Sequence, residues 1–242
     1  MGYLDEVIEL LQRVRETQSE AIETAAGRVA DAIEADHLIY VFGASHASII
    51  AQELFYRAGG LVPVNPVLAP GLTTDVRPVT LTSRLERLRG LGGQIVAELP
   101  IEAGDVLLVH SVSGRNAAAV EVALAAKERG ALVIALTSLT YSKAVSPRDA
   151  DLPRLFEVAD LVLDNQAPVG DALVAVPGLD QRVGPSSTVT GAAIVNAVVV
   201  RAAELLQART GDVPVFVSAN LDGGDERNRR WLKHYGARLV YL

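Results

Sequence analysis

The sequence predicts an α/β fold in which helices cover both faces of a mostly parallel β-sheet. Short apolar runs typical of buried strands alternate with longer segments of helical pattern along most of the 242 residues. Two of these runs end in loops that contain Gly and Ser, and open parallel sheets bind ligands at such strand ends. A long amphipathic segment precedes the first strand and is expected to pack outside the sheet.

The N-terminal segment, residues 1–36, is predicted to be helical. From Leu4 to Ile33 the apolar side chains recur at intervals of three and four residues, as in an amphipathic helix. The pattern fits one long helix or two helices that break near Gly27. Such a helix must bury its apolar stripe, either on the same domain or on a second copy of the chain. We favour the second copy, and therefore expect a homodimer or a larger homo-oligomer.

Residues 37–242 are predicted to form the main domain, without a domain linker. A Pro at position 63 places the second strand at a sheet edge or a strand end, and residues 65–84 read as an irregular connection. Strands are expected at residues 37–42, 61–64, 106–109, 131–138 and 161–164, with further candidates at 213–218 and 238–241. Helices are expected at residues 49–58, 85–91, 117–129, 187–210 and 226–235.

Composition excludes several classes of function. The formal net charge of −7 disfavours general attraction to nucleic acid or to anionic lipid. Because the chain has no Cys, disulfides, zinc–thiolate sites and a Cys nucleophile are excluded, and we expect neither a cofactor nor a metal. No apolar run reaches the length of a membrane span, and the N-terminus does not resemble a secretory signal. We expect a cytoplasmic protein that does not bind membranes.

The loop from Ser111 to Asn116 is the most informative segment. It lies between an apolar strand and a strong helical segment, so that backbone N–H groups and the positive end of the helix dipole face the loop. Ser111, Ser113 and Asn116 can add donors, Gly114 allows close approach of the backbone, and Arg115 can add charge. A phosphate suits such a site. The alternative is a capped helix start without a ligand.

Two sequence signatures make the chain resemble the SIS, or sugar isomerase, domain. The family has a Ser-x-Ser-Gly-x-Thr loop, which here is Ser111-Val-Ser-Gly-Arg-Asn116, with Asn in the place of Thr. Its Gly-x-Ser signature after the first strand is present as Gly43-Ala44-Ser45. More narrowly, the chain is similar to uncharacterised bacterial SIS proteins whose loop reads Ser-Gly-Arg-Asn. The resemblance implies a flavodoxin-like, three-layer sandwich whose two loops bind the phosphate of a phosphosugar.

The same resemblance suggests residues around the rest of the sugar. Ser186, Ser187 and Thr188 begin the long C-terminal helix, whose start often contacts the sugar in SIS domains, although an N-cap cluster explains them equally well. Glu53 is the first candidate for a catalytic base, and a surface or interface carboxylate is its alternative. His46 adjoins the Gly43–Ser45 loop and is a candidate for binding phosphate, opening a sugar ring or capping the helix.

Three functions remain open at this point. The first is an enzyme that interconverts an aldose and a ketose phosphate, with a lyase or etherase acting on a phosphosugar as a related possibility. The second is a non-catalytic phosphosugar sensor or regulatory protein. Because only about 36 residues precede the first strand, we do not expect a helix-turn-helix module for DNA binding. The third is a structural dimer module whose pocket no longer binds.

Overall fold

A computed structural model of the chain describes residues 2–242. The first half contains α1 (Tyr3–Glu34), β1 (Ile39–Gly43), α2 (Ile49–Leu54), β2 (Val64–Val67), α3 (Thr80–Leu85), α4 (Leu91–Ala97), β3 (Val106–His110) and α5 (Ala117–Glu128). The second half contains β4 (Leu132–Thr137), α6 (Leu139–Ala144), α7 (Leu155–Val158), β5 (Leu161–Asp164), β6 (Ala172–Val174), β7 (Val183–Pro185), α8 (Ser187–Thr210) and α9 (Gly224–Tyr235).

Five strands form one parallel sheet in the order β2-β1-β3-β4-β5. This is the flavodoxin-like order, and it confirms the predicted fold class. In the register of the sheet, Ile39 of β1 lies opposite Val64 of β2 and Val106 of β3. The strand order reverses between β1 and β3, so a crevice opens at the carboxyl ends of these two strands.

Alternate residues of each strand point into two separate hydrophobic layers. On one face Val41 and Leu108 pack with residues of α1, α2 and α8. On the other face Phe42 and Val109 pack with residues of α4, α5 and α7 and with the C-terminal residues around α9. The period of two along a strand makes this possible, and it completes the three-layer sandwich.

Helix α1 is a single helix that continues through Gly27. Its residues from Val14 to Ile33 share a hydrophobic core with the sheet and α8. The buried side chain of Gln18 accepts a hydrogen bond of 2.9 Å from the backbone N–H of Asp164, at the end of β5. The first turns of α1 pack on the small β6–β7 hairpin through Val7. The expected contact with a second copy of the chain stays a prediction.

Three of the predicted elements differ in the structure. Residues 61–64 were expected to be a strand, but β2 begins only at Val64, because the backbone at residues 59–62 bonds to the 213–216 segment instead, as in the 2.8 Å bond from Val62 N to Pro214 O. The 213–218 segment contributes one antiparallel bridge, and residues 238–241 form no strand. Pro66 lies in β2, an edge strand, where a missing N–H is tolerated.

The predicted helices at 49–58 and 85–91 are also corrected. Helix α2 ends at Leu54, because Phe55 adopts an extended conformation. Two helices flank the 85–91 segment, with Gly90 in a left-handed conformation between them. Helix α4 continues through Gly92, where a Cβ atom would lie 2.5 Å from the Cβ of Glu121, so the close approach of α4 to α5 requires this glycine.

Helix α8 corrects the expectation that no segment could cross a membrane. Its length of 24 residues and mean hydropathy of 1.6 are sufficient for a span by composition alone. A helix buried in a protein core passes the same test of length and composition. In the structure α8 packs against α1 and the sheet through Ile194, Val195 and Val198.

Candidate functional site

The loops after β1 and β3 lie side by side at the crevice where the strand order reverses. Gly43, the last residue of β1, is opposite His110, the last residue of β3. The two signature loops, which are separated by more than 60 residues in the chain, therefore begin at adjacent positions on the sheet. This is the edge at which open α/β sheets bind their ligands.

The loop after β1 folds into one turn of 3-10 helix, from Ser45 to Ser48. Ser45 has a φ of 57°, and its backbone N–H donates a 2.7 Å hydrogen bond to the carbonyl of Leu72. A Cβ atom on Gly43 would lie 2.3 Å from the carbonyl oxygen of Ala47, so the turn can close only over a glycine. Gly43 and Ala44 thus shape the turn that presents the side chain of Ser45.

The loop after β3 is held in place through its carbonyl groups. The carbonyl of Val112 accepts from Ser138 N at 3.0 Å and from the Thr137 hydroxyl at 3.1 Å. The carbonyl of Gly114 accepts from Leu155 N at 2.8 Å. Gly114 itself has a φ of 57°, which L side chains rarely adopt. Neighbouring elements therefore fix the loop from the outside.

Several donors of these two loops remain free. Among residues 2–242, none accepts a hydrogen bond from the backbone N–H groups of residues 113–117. The hydroxyl groups of Ser45, Ser111 and Ser113 also have no hydrogen-bond partner among these residues, and all three side chains are half-buried. Free N–H groups before a helix, together with free hydroxyls, form a site for an oxyanion.

Asn116 precedes α5 without capping it. Its side-chain oxygen instead accepts a 2.8 Å hydrogen bond from Nε of Arg148, which lies in the connection after α6. The backbone N–H of Arg148 donates to the carbonyl of Arg115 at 3.2 Å. Arg148 therefore lies against the loop, and the sequence showed no sign of this contact because 32 residues separate it from Asn116.

Charged groups surround the start of α5. Desolvation lowers the pKa of Arg148, and the nearby charges of Arg87 and Arg115 lower it further. Burial raises the pKa of the Glu86 carboxyl, while Arg87, Asn116 and Arg148 oppose this rise. The carbonyl of Glu86 also accepts a 3.0 Å hydrogen bond from Ala118 N in the first turn of α5. Arg87 and Arg148 thus lie near one partly buried carboxyl group, and Arg115 lies near Arg148.

His110, the last residue of β3, is buried beneath the turn that carries Ser45. It has no exposed surface, and its Nδ1 lies 3.2 Å from the carbonyl oxygen of Ala47, while its Nε2 is buried without a partner among the described residues. Burial lowers the pKa of His110 to about 4, so the ring is neutral at pH 7. As a neutral ring, it links the end of β3 to the turn that carries Ser45.

The start of α8 contains hydroxyls that are already engaged. The Ser187 hydroxyl and backbone N–H each donate a 2.7 Å hydrogen bond to the carboxylate of Asp171, and the Ser186 hydroxyl donates to the same residue at 3.0 Å. Ser186 and Ser187 are buried, whereas Thr188 is half-buried. Asp171, which sequence reasoning missed, is the residue that caps α8.

The two candidate catalytic residues lie in different surroundings. His46 is exposed on the turn beside Ser45. Glu53 forms an ion pair with Arg57 and accepts a 2.8 Å hydrogen bond from the Asn196 amide of α8. Asn196 is nine residues beyond Ser187, or about 14 Å along the helix at 1.5 Å per residue. Glu53 is therefore held between α2 and α8 by Arg57 and Asn196.

Two other features do not belong to this site. A cleft of about 730 Å³ opens near the amino end of β2, lined by Tyr56, Phe216 and residues of α9, and it lies away from the loops after β1 and β3. In the part of the chain that the structure describes, no three His, Asp or Glu side chains are grouped closely enough to hold a metal ion.

Known proteins resemble this chain in both sequence and fold. A sequence model of the SIS domain matches residues 2–138. A UPF0309 protein of Shouchella clausii is 46% identical over 247 residues, which cover 100% of both chains. A UPF0309 protein of Streptomyces coelicolor is 41% identical over 240 residues, which cover 99% of this chain and 96% of that protein.

Solved structures share the fold at low sequence identity. A phosphoheptose isomerase from Neisseria gonorrhoeae superposes with a TM-score of 0.53 at 19% identity, covering 85% of this chain and 95% of that one. A phosphoheptose isomerase from Francisella tularensis superposes with a TM-score of 0.55 at 18% identity, covering 83% and 94%. The match to the SIS-domain model and the relatives of 46% and 41% identity show that the chain belongs to the SIS-domain family and, within it, to the UPF0309 proteins.

Proposed function

We propose that this chain binds a phosphosugar and holds its phosphate between the loops after β1 and β3. The observation that carries this proposal is the set of free donors at the crevice, namely the hydroxyls of Ser45, Ser111 and Ser113 and the N–H groups of residues 113–117. A phosphate dianion offers enough acceptor oxygens to satisfy them, and the dipole of α5 stabilises its charge.

The charges near the loops support an anionic ligand. The chain as a whole carries a net charge of −7, yet Arg115 lies within the loop after β3 itself. The names of the similar structures point in the same direction, since both are phosphoheptose isomerases.

The reaction we propose is the interconversion of an aldose phosphate and a ketose phosphate. In this reaction a base moves the proton from the hydroxyl-bearing carbon next to the carbonyl to the former carbonyl carbon, and the proton of that hydroxyl passes to the carbonyl oxygen, so that the atoms balance. Glu53 is the candidate for this base, and His46, exposed beside Ser45, is the candidate for opening the sugar ring.

A non-catalytic sensor is the second candidate function, and the surroundings of Glu53 favour it. A general base must reach the proton that it removes. Glu53 is instead paired with Arg57 and bound by the Asn196 amide of α8. In a sensor, binding the phosphosugar would change the protein's contacts with a partner and leave the sugar unchanged.

Thermal unfolding with a panel of aldose and ketose phosphates tests the binding. A ligand that binds only the folded state raises the melting temperature by mass action. Replacing Ser113 with Ala (Ser113→Ala) removes one hydrogen bond to a charged group, and we expect the affinity to fall about tenfold or more. Ser19→Ala, on the exposed face of α1, is the matched control and should leave the affinity unchanged.

Two results separate the possible functions. If no sugar phosphate raises the melting temperature, or if Ser113→Ala and the unchanged protein respond identically, the phosphate site is wrong. For a sugar that binds, proton exchange with D₂O at the carbon next to the carbonyl indicates an isomerase, which Glu53→Gln should inactivate. Binding without exchange indicates the sensor.

A further inference from the structure

Three arginine side chains lie near one another beside the loop after β3, close enough for the charges of Arg87 and Arg115 to act on Arg148. Arg115 belongs to the loop itself, and Arg148 bonds to this loop through both its backbone and its side chain. Arg87 follows Glu86, whose carbonyl accepts a hydrogen bond from the first turn of α5. We call these three residues the arginine cluster.

The arginine cluster has little opposing charge. None of its three guanidinium groups lies within 4.0 Å of a carboxylate among residues 2–242. Asp149, the chain neighbour of Arg148, is already paired with Arg89 at 2.8 Å. The one carboxyl group close to the cluster is that of Glu86. Three positive groups against one carboxyl leave an excess of positive charge in a chain that is negative overall.

The geometry of Arg148 leaves the end of its guanidinium group free. Its Nε is bound to the Asn116 amide oxygen at 2.8 Å, while its two terminal nitrogens have no partner among the described residues. A guanidinium group held at Nε presents its terminal N–H groups as a fork that fits a carboxylate or a phosphate. Asn116 stands where the SIS pattern has Thr, and its amide oxygen is the acceptor that holds Arg148 in this position.

The free donors of the two loops are sufficient for one phosphate without the arginine cluster. We propose that the cluster, with Arg148 as its main ligand, binds a second anionic group on the same sugar, either a carboxylate or a second phosphate. The substrate or effector would then be an acidic phosphosugar rather than a neutral one. This inference rests on the proposed function, because it places the second group relative to the phosphate in the loops.

Titration calorimetry with two matched pairs of ligands tests the inference. The carboxylate pair is 6-phosphogluconate and sorbitol 6-phosphate, which differ only in whether C1 is a carboxylate or an alcohol. The phosphate pair is fructose 1,6-bisphosphate and fructose 6-phosphate. We expect the unchanged protein to bind the acidic member of at least one pair about tenfold more tightly, and the pair identifies the second group.

Replacing Arg148 with Gln (Arg148→Gln) should reduce this preference to about twofold or less, while the affinity for the neutral member stays within about twofold. Because Arg148 is exposed, the variant should fold, and its melting temperature is the check. Arg129→Gln, the same change of charge at the far end of α5, should keep the full preference. Arg148→Lys keeps the charge but lacks the forked pair of terminal N–H groups. Its preference for the acidic ligand should lie between those of the unchanged protein and Arg148→Gln.

The possible failures can be told apart. If the protein binds neutral and acidic members of both pairs equally, this inference is wrong and the proposed function stands. If Arg148→Gln keeps the full preference, the residues are wrongly assigned. If none of the four ligands binds, this inference is overturned, and the wider panel of sugar phosphates decides the proposed function separately.

Discussion

The clearest quantitative prediction concerns Asp171 and the start of α8. Its carboxylate accepts the N–H and the hydroxyl of Ser187, each at 2.7 Å. Ser186 has a second acceptor, because its N–H and its hydroxyl also bond to the backbone carbonyl of Asp171. In an Asp171→Ala variant, the two donors of the buried Ser187 therefore lose their partner, while those of Ser186 keep one.

The cost follows from these contacts. Leaving two buried donors without a hydrogen-bond acceptor costs about 1–2 kcal/mol each, and loss of a negative charge at a helix N-terminus adds about 0.5 kcal/mol. We expect Asp171→Ala to lower the free energy of unfolding by about 3 kcal/mol. For 242 residues the entropy of unfolding is about 0.5 kcal/mol/K, so the melting temperature should fall by about 6 °C.

Thermal and urea unfolding of three variants measure this effect. Asp171→Asn keeps an acceptor oxygen and loses the charge, so we expect a smaller loss of about 1 kcal/mol. Asp180→Ala, which removes a carboxylate from an exposed loop position, is the matched control and should change little. If Asp171→Ala destabilises the protein no more than Asp180→Ala does, Asp171 is not the residue that stabilises the start of α8.

Two further predictions follow from the loops. Gly43→Ala places a Cβ atom against the carbonyl of Ala47, so it should move the Ser45 turn and weaken phosphosugar binding. Gly93→Ala is the control, because no heavy atom would lie within 4 Å of its Cβ atom. Equal affinities of the two variants would contradict this prediction. His110 has a pKa of about 4 in the folded protein against about 6.5 when unfolded. As the pH drops from about 6.5 to 4, the unfolded state therefore binds a proton that the folded state does not, and the stability of the fold falls. Between pH 7 and pH 5 this amounts to about 2 kcal/mol, and His110→Gln should lose that part of the pH dependence in urea unfolding; an unchanged pH profile would show that His110 does not titrate as described.

Local sequence patterns were sufficient to predict the fold class and to select the two loops that we propose bind phosphate. The strand, loop and helix around Ser111–Asn116 lie in one continuous segment, and their periodicity and loop composition are local properties. The order of the two loops along the chain likewise needed no tertiary information. The irregular edge of the sheet was harder to predict, since β2 begins where pairing with β1 begins and not where the apolar run at Leu61 starts.

The sequence by itself determined which residues carry hydroxyls at the strand ends and at the start of α8. It did not show which of these hydroxyls are hydrogen-bonded within the protein. Only the tertiary structure decided which are free to bind a ligand. Asp171 satisfies Ser186 and Ser187, whereas no described residue satisfies Ser111 or Ser113. The hydrogen bond between Arg148 and Asn116 is likewise a product of the tertiary structure. The physical reason is that a polar group's availability depends on every partner within about 3 Å, and folding brings those partners from distant parts of the chain.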